Sequence, residues 1–231
     1  MLLPGGPEVG AALISDPRVA GVAFTGSTAT AKRIARALLE DDTRPLVPLI
    51  AETGGINAMI VDSTALSEQV VQDVVTSAFR SAGQRCSALR LLLLQEDIAD
   101  ATLKMLAGAM DALVVGESSD PMSDVGPVID SAAYARLMEY RESRRASWIH
   151  TIPAPATGHF VPPTAIRLAS LNDLTEEWFG PLLHVATWRA GTLEQTVEAV
   201  NAKGFGLTMG LHSRIARNAE TVEALARVGN L

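Results

Sequence analysis

Short apolar runs alternate along this chain with longer segments whose apolar residues recur every three or four positions, and glycine-bearing turns divide them. That alternation points to parallel strands joined by helical crossovers, because a parallel pair cannot be closed by a tight hairpin. The fold class is α/β. Residues 18–24 read as a strand that ends at Thr25-Gly26-Ser27-Thr28 and passes into a helix with Ile34, Ala35, Leu38 and Leu39 at helical spacing. Residues 45–50 and 57–61 read as two further strands, divided by the loop Ala51-Glu52-Thr53-Gly54-Gly55, where paired glycines mark a sharp bend or a close approach of backbone. Between residues 66 and 80, Val70, Val71, Val74, Val75, Ala78 and Phe79 make one side of a helix apolar, and its end delivers Gly83-Gln84-Arg85-Cys86. A buried strand (89–94), a helix around Leu103, Leu106, Met110 and Leu113, a polar loop (116–127) and a helix from Ser131 follow. Pro153, Pro155, Pro162 and Pro163 make residues 150–163 a surface excursion, and the chain finishes with a helix (192–203), a glycine-punctuated segment (204–210) and a helix from about Ala216.

Composition sets the limits on chemistry. With 231 residues, 48% of them hydrophobic and 19% charged, the chain can bury a substantial core. A net charge of -7 without a basic stripe argues against a nucleic-acid partner. The single cysteine forms no internal disulfide, and His150, His159, His184 and His212 are too scattered for a zinc site, so no metal is expected. The start lacks the charged and apolar regions of a secretory signal, and the apolar run around Arg90 is far too short for a membrane span. A reducing, cytoplasmic setting is the natural reading.

Three places carry candidate chemistry. Gly26-Ser27-Thr28 places small residues and backbone N–H groups at a helix start, which suits a phosphate, although a Ser or Thr there is also an ordinary N-cap and the full GxGxxG spacing is absent. Cys86 follows a glycine turn beside Arg85, a setting that favours thiolate, although most lone cysteines are inert core. Glu52 stands beside Thr53-Gly54-Gly55 at a strand end, placed either to activate water or simply to be solvated.

Taken together, four segments in order resemble the aldehyde dehydrogenase superfamily over nearly the whole chain: Phe24-Thr25-Gly26-Ser27-Thr28, Glu52-Thr53-Gly54-Gly55-Ile56-Asn57, Gly83-Gln84-Arg85-Cys86-Ser87-Ala88 and Glu177-Trp178-Phe179-Gly180-Pro181. The wording is most similar to the Δ1-pyrroline-5-carboxylate (L-glutamate γ-semialdehyde) dehydrogenase branch, including the dehydrogenase half of bifunctional proline utilization A. It rests on Asn57-Ala58-Met59-Ile60-Val61-Asp62-Ser63-Thr64-Ala65-Leu66 and Gly206-Leu207-Thr208-Met209-Gly210-Leu211-His212-Ser213-Arg214 as well.

The resemblance implies a partial Rossmann-type NAD-binding domain over residues 1–55 and an α/β catalytic domain over residues 56–231. It implies Cys86 as nucleophile and Glu52 as the base that activates water. Gly26, Ser27, Thr28, Thr53, Gly54, Glu177 and Phe179 would line the NAD site, with Glu177 on the nicotinamide ribose. Ser87, the backbone N–H groups of Met209 and Gly210, and Phe79 as a wall would hold a small aldehyde bearing a carboxylate; Phe79 reads equally as plain core. A homo-oligomer and fusion to a proline dehydrogenase domain are implied for the intact protein. The rivals are an aldehyde dehydrogenase of other specificity and an inactive fragment with a structural or interaction role. Ile56 departs from the polar residue usual at its place. The chain also opens at what resembles the last strands of the dinucleotide domain and stops at Gly229-Asn230-Leu231 without a polar tail, so truncation at both ends is expected.

Overall fold

The structure, a computed structural model, describes residues 1–40, 42 and 44–231. These form two compact units, Met1–Gly54 and Gly55–Leu231.

In the first unit, α1 (Pro7–Ser15) leads to β1 (Val22–Gly26), α2 (Thr28–Leu39) and β2 (Leu49–Thr53). The two strands pair in parallel, Val22 opposite Leu49 through Gly26 opposite Thr53. The buried face of α2 is Ala31, Ile34 and Leu38, an i, i+3, i+7 stripe. Both strands begin and end later than their apolar letters suggest. Residues 18–21 are not strand: the Arg18 guanidinium grips the Asp16 carboxylate at 2.6 Å, the Val19 N–H donates to Asp16 O, and the Val19 carbonyl accepts from Arg44 at 2.5 Å. Residues 45–48 include two prolines that cannot donate to a ladder, so the second strand starts at Leu49 and runs through Glu52 and Thr53, which the sequence reading assigned to a loop.

The second unit is built on a six-stranded sheet in the order β5-β6-β7-β4-β3-β8: β3 (Asn57–Val61), β4 (Leu89–Gln95), β5 (Trp148–Thr151), β6 (Thr164–Arg167), β7 (Leu182–Trp188) and β8 (Met209–His212). Every pairing is parallel except β5 with β6 at one edge. Helices cover both faces, so the central strands are apolar on both sides. Met59, Val61, Leu92, Leu94 and Val185 pack with α3 (Ser67–Phe79), α4 (Glu96–Asp111) and α5 (Ser131–Ser143). The alternate residues Ala58, Ile60, Leu91, Leu93 and Ala186 pack with α6 (Leu193–Asn201) and α7 (Ala216–Leu225).

Residues 150–163 are only partly the surface excursion that their prolines suggest. They begin in β5, and Ile152, Phe160 and Val161 are buried; Ile152 N–H donates to Pro163 O, and His159 O accepts the Val128 N–H. Ile56, where a polar residue was anticipated, is 3% exposed in the core beneath α6 and α7, which accounts for its apolar character. No helix among the described residues is long and apolar enough to cross a membrane.

Candidate active site

Strands β3, β4, β7 and β8 are parallel, so the segments that enter them lie at one end of the sheet. Asn57 opens β3, the turn with Cys86 leads into β4, Glu177 to Pro181 lead into β7, and Thr208 precedes β8. Open α/β sheets usually bind ligands beyond the carboxyl ends of their strands. Here the cysteine, the acid and the aromatic gather at the amino ends.

The turn that carries the cysteine is held in an unusual path. After α3 stops at Phe79, Ser81, Ala82 and Gly83 adopt φ of 56°, 51° and 64°, three successive left-handed residues. Two of them are not glycine, and each costs about 1 kcal/mol or more. Gly83 is indispensable by contact as well as by φ: a Cβ there would lie 2.2 Å from the Gly180 carbonyl oxygen. The Gln84 side chain then ties the turn outward, donating to Pro127 O at 3.2 Å and accepting the Ile129 N–H at 2.8 Å. Ala88 N–H closes the turn onto Arg85 O at 3.0 Å, and Cys86 and Ser87 are exposed at its tip. On the inner side, the Asn57 carboxamide donates to Cys86 O at 2.7 Å and to Ala88 O at 2.9 Å.

The guanidinium of Arg85, next in sequence to the cysteine, donates to Thr76 O on α3. The guanidinium built into the site belongs instead to Arg90. The β3–β4 register slips between Asn57 and Ala58, which face Leu89 and Leu91, leaving Arg90 as the extra residue of a bulge. Arg90 is 0% exposed; it donates to Gly180 O and to Arg85 O, lies 3.6 Å from the Glu177 carboxylate, and sits 5.2 Å from the centroid of the Phe179 ring. Burial pushes its pKa down, opposed by Glu177 and by Cys86. Burial likewise pushes the Glu177 carboxyl up, opposed chiefly by Arg90. At 3.6 Å the pair is Coulombic and too long for a hydrogen bond. Glu177 Oε1 is therefore buried with no hydrogen bond among the described residues. An acceptor in that condition fits a ligand that brings hydroxyl donors, such as a ribose.

Behind Arg90 runs a buried relay. The Arg90 carbonyl accepts from His184 Nδ1 at 3.1 Å, which leaves Nε2 to accept from the Tyr140 hydroxyl at 2.9 Å. Burial lowers the His184 pKa to about 4, so the ring is neutral. Tyr140 stacks on Trp178 with centroids 3.6 Å apart. Neither Arg90 nor His184 was among the candidates from sequence. Their signal was a charged and a titratable residue inside otherwise apolar strand runs.

Three expected substrate contacts are engaged elsewhere in the structure. Phe79 is 0% exposed within the core shared by α3 and α4, so it packs there and offers no face to a substrate. The Met209 N–H is engaged by Asn230 O at 3.0 Å, and Gly210 lies in the β3 ladder opposite Met59, so neither stands free to hold a carboxylate. Ser87 and the half-exposed Phe179 are open to a ligand.

In the first unit, Gly26 lies opposite Thr53 and Thr25 opposite Glu52, at the carboxyl end of the strand pair. Ser27 is the N-cap of α2, its hydroxyl accepting the Thr30 N–H at 3.2 Å. The N–H groups of Thr28 and Ala29 have no intrahelical partner and remain available to an anion. Glu52 is exposed on β2, and Gly54 ends the unit.

The aldehyde dehydrogenase family model matches residues 1–231. The chain is 49% identical over 251 residues to the bifunctional protein PutA of Klebsiella aerogenes, covering 100% of this chain and 18% of that protein. It is 35% identical over 237 residues to a 1-pyrroline-5-carboxylate dehydrogenase of a Geobacillus species, covering 99% of this chain and 46% of that one. A crystal structure of proline utilization A from Bradyrhizobium japonicum superposes with a TM-score of 0.95 at 52% identity, over 98% of this chain and 23% of that one. The chain thus spans about a fifth of the length of the bifunctional proteins it matches.

Proposed function

The chain belongs to the aldehyde dehydrogenase family, and we propose that the protein carrying it oxidises L-glutamate γ-semialdehyde to L-glutamate with NAD, as a step of proline breakdown. The observation that most supports this reading is the exposed Cys86, held on a turn pinned from both sides and flanked by a buried arginine, a carboxylate short of a donor and a half-exposed aromatic ring.

In this reading the Cys86 thiolate bonds to the aldehyde carbon, and backbone N–H groups of the turn stabilise the oxyanion of the thiohemiacetal. A bound NAD would supply the acceptor for the hydride that leaves this carbon. Glu52 then takes a proton from water as its oxygen adds to the resulting thioester; the C–S bond breaks, glutamate departs and the thiolate is restored. Glu177 would hold the nicotinamide ribose through its acceptor oxygen, and Phe179 would pack at the nicotinamide end. Gly26, Ser27 and Thr28, with Thr53 and Gly54, would hold the rest of the dinucleotide. Ser87, beside the nucleophile, donates to the carboxylate of the substrate.

The names of the relatives, a bifunctional protein and a 1-pyrroline-5-carboxylate dehydrogenase, support the substrate and a second, proline-oxidising domain in the same protein; assembly as a homo-oligomer belongs to the same proposal. The test is a panel of aldehydes offered to the intact protein while NADH formation is followed. Glutamate semialdehyde is expected to give the highest kcat/KM, and Cys86→Ala is expected to lose at least three orders of magnitude on every substrate. Substantial turnover by Cys86→Ala would remove the thiol from the mechanism. A better aldehyde without a carboxylate would replace the substrate and leave the family untouched.

A further inference from the structure

We infer that Asn57 is a positioning residue, which sets the orientation of the peptide between Cys86 and Ser87 and so aims the Ser87 N–H as a donor beside the nucleophile. This rests on the reading of Cys86 as the nucleophile and adds a residue to it.

Asn57 is 2% exposed and both ends of its carboxamide are engaged: Nδ2 donates to Cys86 O and to Ala88 O, and Oδ1 accepts the Thr208 N–H at 3.2 Å. A buried amide satisfied on three sides has one orientation, since turning it over would set its oxygen against two carbonyl oxygens and its NH2 against an N–H. The turn around Cys86 is closed by the bond from Ala88 N–H to Arg85 O, which fits either orientation of the middle peptide, although the reversed one would need a left-handed φ at Ser87, costly for a serine and not adopted here. The bond from Asn57 to Cys86 O adds to that preference and locks the observed orientation. In a trans peptide the carbonyl and the following N–H point in opposite directions. With Cys86 O drawn inward to Asn57, the Ser87 N–H points outward, and among the described residues no carbonyl accepts it. An unpaired backbone donor next to an exposed thiol is what an oxyanion forming on the attacked carbon requires.

The test compares wild type with Asn57→Asp. That change keeps the shape and the acceptor for Thr208 N–H but places a second oxygen against the Cys86 and Ala88 carbonyls. In the intact protein, kcat for glutamate semialdehyde is expected to fall about 100-fold or more with KM changed less than threefold, the size of effect that follows loss of one oxyanion donor. Alkylation of Cys86 by iodoacetamide, which builds no oxyanion, is expected to stay within about threefold of wild type. Alkylation is followed by mass on the tryptic peptide that carries Cys86, which separates it from any other thiol of the intact protein. As the pH is lowered from 8 to 6, the new buried carboxyl protonates, regains an O–H donor toward Cys86 O, and kcat relative to wild type is expected to rise. Unchanged kcat, or kcat and alkylation falling together without recovery at low pH, would overturn the inference and leave Asn57 a simple support of the loop. If Asn57→Asp fails to give a wild-type circular dichroism spectrum, Asn57→Ser is put through the same kcat and alkylation comparison, with the same deciding results. A wild-type enzyme that oxidises no aldehyde, or a Cys86→Ala variant that does, would instead overturn the proposed function.

Discussion

His184 shows how a single buried residue fixes a testable property. Its ring is 0% exposed, neutral, and held between Tyr140 and the Arg90 carbonyl. The folded pKa, about 4, lies below the ordinary 6.5, so the native state resists the proton that the unfolded chain accepts. Stability is complete above pH 6.5 and is lost as the pH falls from there toward 4, by about 2 to 3 kcal/mol at pH 4.5. Urea melts of wild type and His184→Gln at pH 7.5 and 4.5 are expected to show that much less acid sensitivity in the variant; equal sensitivity would mean that the ring takes up its proton in the fold. At the exposed tip of the turn, Ser87→Ala is expected to raise KM for glutamate semialdehyde about tenfold, the loss of one hydrogen bond to a charged group, while leaving KM for propanal nearly unchanged. Equal effects on both aldehydes would deny Ser87 its part in reading the carboxylate. Cys86 and Glu177 were visible in the sequence because they sit in ordered motifs. Arg90, Asn57 and His184 were not singled out, because a polar residue's partners come from strands and loops remote in sequence, such as Gly180 for Arg90 and Thr208 for Asn57.

Among the elements, those with a long, regular apolar stripe were legible. The helix from 66 to 80 is α3, and the run 57–61 is β3, because a strand buried on both faces shows as an unbroken apolar run. Strands β5, β6 and β8 have only four residues each, too few for a period to appear, and β7 is interrupted by His184 and Thr187. The first two strands were displaced because apolar letters at 18–21 and 45–48 serve turns stabilised by Arg18, Arg44 and prolines, which periodicity does not register. The turn after α3 makes the sharpest prediction at this scale. Gly83→Ala meets the Gly180 carbonyl at 2.2 Å and a left-handed φ at once, so a loss of roughly 3 kcal/mol or more in a denaturant melt is expected, accompanied by loss of activity. A neutral result would show that the two loops do not approach as closely as this.

For the whole molecule, the parallel strands bring residues more than ninety positions apart, such as Arg90 and His184, onto one end of the sheet, where the nucleophile turn is also anchored. Ordered motifs in the sequence pointed to a common site for the turn with Cys86 and the segment from Glu177, while the places of Met209 in the ladder and Phe79 in the core required the sheet itself. The proposed chemistry places one covalent bond at the centre, between Cys86 sulfur and the acyl carbon, and Glu52 as the group that clears it. The most direct test is to mix the intact Glu52→Gln protein with glutamate semialdehyde and NAD, quench in acid, and weigh the tryptic peptide that contains Cys86. A glutamyl thioester on Cys86, formed in step with a single burst of NADH, is the predicted result. NADH released turnover after turnover at the wild-type rate with Cys86 unmodified would contradict it.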